Sequence, residues 1–262
     1  MAPAADAIRY RFRPNVYANM PESALRFAGV SKTYGPTRAL RDVSFEIKRG
    51  AFFGLVGING AGKTTLLKCL LDFCTFDGGT IEIFGVRHNA AGARARLAFL
   101  PERLNPPYYL TGEDFIRYTL EMQSLRYDRG EAEQMMRALD LDTAALTRPV
   151  RAYSKGMTQK VGIAAALLAS KELYIFDEPT SGLDPKARAL FKQQLNELKK
   201  HSRTVLFTSH ALADVAEVCD QMAVMHGGQL RFCGTPQALR DRFGGGELEQ
   251  AFLNCIGSPL PA

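Results

Sequence analysis

Three short apolar runs are typical of strands that are buried on both faces of a sheet. They lie at residues 52–56, 173–176 and 204–207, and each is followed by glycine or polar residues. Helical patterns follow the first two runs, at residues 65–71 and 185–200. Buried strands that alternate with helices predict an α/β domain with an open sheet, in which ligands bind at the carboxyl ends of the strands.

Weaker patterns predict a small antiparallel sheet and a helical segment. The strands of the small sheet are expected at residues 25–30 and 43–47, and residues 80–84 form another candidate strand. Between about residue 103 and about residue 169 the pattern is mostly helical. Within that segment, helices are predicted at residues 115–124, after a start signal at Thr111, and at residues 131–139. Nearer the C-terminus, the pattern predicts a hairpin at residues 221–225 and 230–233 and a helix that begins at Thr235.

A phosphate-binding motif follows the first buried strand. Residues 57–64 read GINGAGKT, which fits G-x-x-x-x-G-K-[ST] between a strand and a helix. Glycines let backbone N–H groups approach phosphate oxygens, and the helix N-terminus adds a partial positive charge. A glycine-rich turn that binds nothing is the alternative, and this order of strand, motif and helix disfavours it. The predicted nucleotide-binding residues are Asn59, Gly60, Ala61, Gly62, Lys63, Thr64 and Thr65, with Lys63 on the β- and γ-phosphates and the Thr64 hydroxyl on Mg²⁺.

Two acids end the second buried strand. Asp177 is expected to hold Mg²⁺ through water, and Glu178 is expected to polarise the attacking water as a general base. The alternative is a strand that ends in a solvated acidic turn. The phosphate-binding motif upstream favours the catalytic interpretation.

With the phosphate-binding motif followed by these two acids, the chain resembles the ATPase subunits of ABC transporters. The family signature LSGGQ stands here as YSKGM, in which Ser154 and Gly156 match while Tyr153, Lys155 and Met157 depart. The resemblance implies that this helix N-terminus contacts the γ-phosphate held by the opposite subunit. A helix cap with no further role is the alternative for Ser154.

Three further residues match family positions, and a fourth departs. Asp184 resembles the D-loop aspartate at the dimer seam, and His210 resembles the switch histidine that contacts the γ-phosphate. Tyr34 resembles the aromatic that stacks on adenine, although a tyrosine packed in the small sheet is a close alternative. Glu102 stands where the family carries a glutamine that touches Mg²⁺, and we expect it to remain a metal ligand.

The resemblance extends from about residue 25 to about residue 239. It implies the ABC ATPase fold, which is a P-loop NTPase core with a small antiparallel β subdomain and an inserted α-helical subdomain at about residues 103–169. We place the ATPase domain at residues 24–240. Residues 1–23 are expected to be a flexible extension, with an extra strand or a partner contact as alternatives. Residues 241–262 are expected to be a short C-terminal tail.

The resemblance also implies a function. An ATP-binding and ATP-hydrolysing subunit would form a homodimer, or a heterodimer, around two ATP molecules. It would power a transporter, in our interpretation an exporter, through separate integral-membrane permease subunits, and it would lie at the cytoplasmic face of the cell membrane. The alternatives are a soluble ABC-type ATPase of translation or DNA repair, and a small-molecule kinase with the same phosphate-binding loop.

Composition narrows these options. Hydrophobic residues make up 46% of the chain, as in ordinary globular proteins, and we find no apolar run of the ~20 residues that a membrane helix needs. The net charge of +6 is too small to indicate nucleic acid, so no nucleic-acid partner is expected. The five cysteines form no C-x-x-C pair, which favours a reducing compartment and thiols without a role. The first residues do not resemble a signal peptide.

Overall fold

The computed structural model describes residues 22–90, 92–244 and 246–258. Its strands are β1 (Ser23–Tyr34), β2 (Thr37–Lys48), β3 (Phe52–Val56), β4 (Gly78–Ile83), β5 (Val86–Arg87), β6 (Leu97–Leu100), β7 (Leu173–Asp177), β8 (Thr204–Ser209), β9 (Gln221–His226) and β10 (Gln229–Gly234). Its α-helices are α1 (Lys63–Leu70), α2 (Gly112–Glu121), α3 (Arg129–Ala138), α4 (Lys155–Leu168), α5 (Pro185–Lys200), α6 (Leu212–Val218), α7 (Pro236–Phe243) and α8 (Leu248–Gly257). Short 3₁₀ helices cover Ala93–Arg96, Thr143–Thr147 and Val150–Ala152.

The described residues divide into two compact units. The helical unit contains Ala98–Lys171 and Pro179–Glu197, and therefore holds α2, α3, α4 and most of α5. The sheet unit contains the described residues up to Leu97, then Glu172–Glu178 and the described residues from Leu198 onward. The helical unit covers the predicted helical segment and also includes the residues that follow Glu178.

The larger sheet of the sheet unit has a parallel centre. Five of its strands lie in the order β10-β9-β3-β8-β7, in which β3 is parallel to β8 and β9, and β8 is parallel to β7. Every residue of β3, β7 and β8 is buried, as the continuous apolar runs predict for strands covered on both faces. The predicted hairpin is confirmed, because β9 and β10 pair antiparallel around Gly227 and Gly228.

The small sheet is antiparallel and has the strand order β2-β1-β4-β5. Its strands β1 and β2 are longer than predicted, because their ends carry polar residues that face solvent and break the apolar pattern. Aromatic stacking joins the small sheet to the larger one, because the ring centroids of Phe45 and Phe53 lie 5.3 Å apart. Within the small sheet, Phe45 also stacks on Phe27, with ring centroids 4.6 Å apart.

The helical unit contains the predicted helices. Thr111 caps α2 in a reciprocal capping box with Asp114, which confirms the start signal. Nine residues of α4 are buried, and the helix packs closely at Gly162, where a Cβ atom would lie 2.4 Å from Leu104 Cδ2. The predicted helix at residues 185–200 is confirmed with the same bounds as α5.

The C-terminal residues contain more structure than the sequence patterns suggested. Thr235 caps α7 as predicted, but α7 continues to Phe243, and α8 follows within the segment that we expected to be a short tail. Four residues of α8 are buried, at the spacing of one helix face: Leu248, Ala251, Phe252 and Cys255. Of the predicted extension at residues 1–23, only Glu22 and Ser23 fall within the described residues, and Ser23 begins β1.

Within the parts of the chain that the structure describes, no helix combines the length and apolar character needed to cross a membrane.

Candidate active site

Strand register brings the predicted catalytic segments to one edge of the larger sheet. Asp177 of β7 pairs with Thr208 of β8, and Thr208 pairs with Leu55 of β3. All three strands are parallel and neighbouring, so the segments after them begin at the same level of the sheet. The phosphate-binding loop, the acids and His210 therefore share the edge at which open α/β sheets bind ligands.

The loop between β3 and α1 has a backbone that requires glycine. A Cβ atom at Gly57 would lie 2.5 Å from the Met225 carbonyl oxygen, and one at Gly62 would lie 2.8 Å from the Ala39 carbonyl oxygen. Gly60 and Gly62 have φ angles of 80° and 105°, which L side chains rarely adopt. Gly62 is the N-cap of α1 and supplies no side-chain cap, so that the first backbone N–H groups of α1 face the loop.

The remaining residues of the loop are arranged as an anion site requires. Lys63 begins α1, is buried, and donates a hydrogen bond of 2.5 Å from Nζ to the Gly57 carbonyl oxygen, which directs its ammonium group into the loop. Ala61 is buried and closes a turn by donating from its N–H to the Ile58 carbonyl oxygen. Thr64 is exposed, as are Asn59 and Gly60, and Thr65 is half-buried.

One buried threonine holds both acids. The Thr208 hydroxyl donates a hydrogen bond to Asp177 Oδ1 at 2.5 Å and accepts one from the backbone N–H of Glu178 at 3.0 Å. Both acids are more than nine-tenths buried, and Thr208 is fully buried. The sequence reasoning did not identify Thr208. No local signal marks its role, because that role depends on the register of β7 and β8.

Glu178 has an unusual backbone and faces His210. Its φ angle is 49°, in a region that costs a non-glycine residue of order 1–3 kcal/mol, and such residues concentrate at functional sites. Its Oε2 atom lies 2.8 Å from His210 Nδ1. The Glu178 side chain is largely buried whereas His210 is exposed, so the imidazole lies at the surface of this edge and the carboxylate is buried against it.

In the ATPase that the sequence predicts, Thr208→Val should slow ATP hydrolysis by about tenfold to a hundredfold while leaving ATP affinity nearly unchanged. The substitution keeps the shape of the side chain but removes the hydroxyl that orients Asp177 and Glu178, and a hydrogen bond to a charged group is worth about 1.5–3 kcal/mol. Steady-state kinetics would give kcat and KM separately. Thr208→Ser, which retains the hydroxyl, is the control, and an equal loss in both variants would contradict this role.

Tyr34 lies at the end of β1 and is 46% exposed. Its hydroxyl donates to Cys74 Sγ at 3.4 Å, and Lys32 Nζ lies 4.9 Å from the ring centroid. The hydrogen bond to Cys74, together with burial, raises the pKa of Tyr34 to about 12, so the hydroxyl stays protonated at neutral pH. The ring is too exposed for a purely packed core residue, and the adenine-stacking role stays a prediction.

The signature residues lie in the helical unit. Ser154 is exposed and caps α4, with Oγ accepting from the Met157 N–H at 3.2 Å. A Cβ atom at Gly156 would lie 3.2 Å from the Gly182 carbonyl oxygen. The methylene groups of Lys155 cover Gly182, and Lys155 Nζ lies 3.4 Å from Ser181 Oγ.

Two further predicted residues lie in the same unit. Asp184 is exposed, and its Oδ1 atom accepts from the Ala187 N–H at 2.8 Å, at the start of α5. Glu102 is exposed in the segment after β6. Its role as a metal ligand stays a prediction.

Tyr108 and Tyr109 are 68% and 67% exposed, which excludes core packing for these two side chains.

The residues of the sheet edge fit ATP and Mg²⁺. The loop between β3 and α1 offers phosphate oxygens the backbone N–H groups at the start of α1, which no side chain caps, and the ammonium group of Lys63. Mg²⁺ takes oxygen ligands, and the exposed Thr64 hydroxyl and the Asp177 carboxylate are the oxygen groups at this edge that would hold it.

Comparison with known proteins identifies the family. The family model for ABC transporter ATP-binding domains, described as "ABC transporter", matches residues 40–181. This chain belongs to that family. It is 34% identical over 237 residues to the ABC transporter ATP-binding protein sll0415 of Synechocystis, covering 85% of this chain and 65% of the relative. It is 34% identical over 224 residues to Nod factor export ATP-binding protein I of Paraburkholderia xenovorans, covering 84% of this chain and 73% of that relative.

A solved ABC structure supports the same assignment. The ATP-binding subunit of an ABC transporter superposes with a TM-score of 0.82 at 31% identity, covering 89% of this chain and 99% of that one. The predicted ABC ATPase fold is thereby confirmed. These relatives give no support to a role in translation or DNA repair.

The structure brings together some predicted residues and leaves others in a second unit. Lys63, Asp177, Glu178, His210 and Tyr34 all belong to the sheet unit, and the register aligns the segments of the first four. The predicted residues of the helical unit are Glu102, Ser154, Gly156 and Asp184.

Proposed function

We propose that this chain hydrolyses ATP with Mg²⁺ and powers an ABC exporter. The observation that carries the proposal is the register of β3, β8 and β7, which aligns the phosphate-binding loop, the two acids and the segment of His210 at one ligand-binding edge. A small-molecule kinase would need the loop, but it would not need Glu178 and His210 paired 2.8 Å apart.

Glu178 is the general base of the proposed reaction. Its carboxylate takes a proton from the water that attacks the γ-phosphate. His210 contacts this carboxylate, and Thr208 accepts a hydrogen bond from the Glu178 backbone N–H. Lys63 and the N–H groups at the start of α1 stabilise charge on the phosphate oxygens, and the His210 imidazole lies where it can also reach them. Mg²⁺ would be held by the Thr64 hydroxyl and, through water, by the Asp177 carboxylate, and it would neutralise phosphate charge. Tyr34 stacks on the adenine.

The second half of each ATP site comes from another copy of the chain. Ser154 caps α4 and is exposed, and Gly156 lies half-buried in the first turn of the helix. A helix N-terminus binds anions through its N–H groups. In a head-to-tail dimer, these residues contact the γ-phosphate held by Lys63 of the partner copy, and Asp184 lies at the seam. ATP then joins the two copies, and hydrolysis releases them.

The partners are integral-membrane permease subunits, which this chain contacts at the cytoplasmic face of the cell membrane. The export assignment is supported by the similarity to Nod factor export ATP-binding protein I, whose name describes an exporter component. The exposed rings of Tyr108 and Tyr109 in the helical unit offer aromatic contact area to such a partner.

Ser154→Arg should abolish the ATP-dependent dimer while leaving ATP binding to the monomer intact. The added side chain fills the space in front of the α4 N-terminus, whereas the phosphate-binding loop of the same copy is unaltered. Light scattering after size exclusion, with and without ATP and Mg²⁺, would follow the mass. Ala144→Arg adds the same charge at another exposed position of the helical unit and should dimerise normally. A Ser154→Arg protein that dimerises normally with ATP would contradict the composite site.

A further inference from the structure

Two cysteine thiols lie side by side at the end of the helix that follows the phosphate-binding loop. Cys69 Sγ and Cys74 Sγ are 3.6 Å apart. Cys69 is part of α1 and is fully buried, and Cys74 lies beyond the helix end and is half-buried. Both belong to the sheet unit.

The backbone at the end of α1 brings the two thiols together. The Phe73 N–H donates to the Lys68 carbonyl oxygen at 2.8 Å, and the Asp72 N–H donates to the Cys69 carbonyl oxygen at 3.2 Å. With Asp72 at a φ of 62°, this is a Schellman motif, which reverses the chain and returns Cys74 to the last turn of the helix. The proximity is therefore a fixed property of the helix end.

The pair also contacts a residue of the proposed nucleotide site. Cys74 Sγ accepts the hydrogen bond from the Tyr34 hydroxyl at 3.4 Å, so one sulfur touches both Cys69 and Tyr34. A covalent change at Cys74 therefore alters the environment of the ring that we expect to stack on adenine.

We propose that Cys69 and Cys74 form a reversible intrachain disulfide by exchange with a low-molecular-weight disulfide, and that this bond weakens nucleotide binding through Tyr34. The second half of the proposal rests on the proposed function, because it takes Tyr34 as the adenine-stacking residue. The first half concerns the two sulfurs alone.

The exchange proceeds in two balanced steps. The Cys74 thiolate, having lost its proton to water, attacks one sulfur of the disulfide RSSR, forms Cys74–S–S–R and releases RS⁻. Cys69 then attacks the Cys74 sulfur and loses its proton, and the second RS⁻ leaves. The two cysteines are oxidised by two electrons, and RSSR is reduced to two thiols. Cys74 reacts first because it is accessible, whereas burial raises the pKa of the Cys69 thiol to about 12.

Disulfide formation requires the two sulfur atoms to move closer, and this movement disturbs the hydrogen bond from Tyr34 to Cys74. The sulfurs must approach by about 1.5 Å to reach the disulfide bond length. Cys69 is held in the buried face of α1, so Cys74 in the following loop makes most of this movement. The hydrogen bond from Tyr34 then loses its present geometry, and the ring loses one of the contacts that fix its orientation.

Mass spectrometry of the full-length chain treated with oxidised glutathione tests the bond itself. Trypsin cleaves after Lys68 and after Arg87, so one peptide carries both cysteines. We expect that peptide to lose two hydrogen atoms and to regain them with dithiothreitol. Cys69→Ala should instead carry a glutathione adduct on Cys74, and Cys233→Ser should form the bond as the unaltered chain does. A peptide that keeps both free thiols, or adducts without the internal bond in the unaltered chain, would overturn the pairing.

Binding of a fluorescent ATP analogue tests the coupling. We expect the oxidised chain to bind about three- to tenfold more weakly than the same sample after reduction, as the loss of one hydrogen bond implies. Tyr34→Phe keeps the ring but lacks the hydroxyl, so oxidation should change its affinity less. A bond that forms without any change in affinity would overturn the coupling. A reduced chain that binds no ATP would refute the proposed function, and the mass measurement would still decide the pairing.

Discussion

Glu178→Gln should retain ATP binding and hydrolyse ATP at least about a hundredfold more slowly, because a positioned general base contributes about 10²–10⁴ to the rate. Glutamine keeps the size of the side chain and can still contact His210, but it cannot accept the proton of the attacking water. The backbone of position 178 is held by Thr208, so the variant should keep the local structure. Phosphate release measured with saturating ATP and Mg²⁺ would give the rate.

The Glu178→Gln protein should also accumulate as an ATP-bound dimer. Without hydrolysis the γ-phosphate remains, and with it the contact that joins the two copies. Glu249→Gln, an exposed substitution on α8, is the control and should hydrolyse ATP at the normal rate. Undiminished hydrolysis by Glu178→Gln would assign the base to another residue.

Lys63→Ala should lower ATP affinity by about tenfold to a hundredfold, because a hydrogen bond to a charged group is worth about 1.5–3 kcal/mol. Lys63 is buried at the start of α1, where its ammonium group and the helix N-terminus act on the same phosphate oxygens. Equilibrium binding of a fluorescent ATP analogue measures the change directly.

A neighbouring lysine provides the matched control for this substitution. Lys68 lies on the same helix but is exposed in its last turn, so Lys68→Ala should bind ATP normally. Circular dichroism and thermal melting should show that both variants fold. A Lys63→Ala protein that is folded and binds ATP as tightly as Lys68→Ala would refute the proposed phosphate contact.

Much of the sheet unit was predictable because its signals are local. The buried strands are continuous apolar runs, and glycines, a lysine and acids follow them at their carboxyl ends. These features need only neighbouring residues to be interpreted. Capping residues such as Thr111 and Thr235 are equally local, and both begin helices in the structure.

The features that sequence reasoning missed depend on residues far apart in the chain or on loop geometry. Thr208 gains its role from register with Asp177, which lies thirty-one residues away. Lys155 could not be placed from its position beside Gly156, because its side chain lies over Gly182 in a distant loop. Cys69 and Cys74 meet because of a left-handed residue at the end of α1, and their spacing does not indicate it.

The C-terminal helix was missed for a different reason. The tail predicted at residues 241–262 contains glycines at positions 244–246, which disfavour a helix and precede the apolar residues of α8. Leu248, Ala251, Phe252 and Cys255 nevertheless repeat at helical spacing, and they become buried when α8 folds. Tertiary packing supplies stability that a ten-residue helix lacks in isolation.

In the proposed dimer each ATP site is shared between two copies of the chain. Mixing two inactive variants tests this sharing directly. Lys63→Ala removes the phosphate-binding half, and Ser154→Arg removes the signature half. A mixed dimer places both defects in one site and leaves the other site intact. If each site is shared, the mixture should hydrolyse ATP at a rate well above the sum of the rates of the two separate proteins at the same total concentration. Activity no greater than that sum would contradict a shared site.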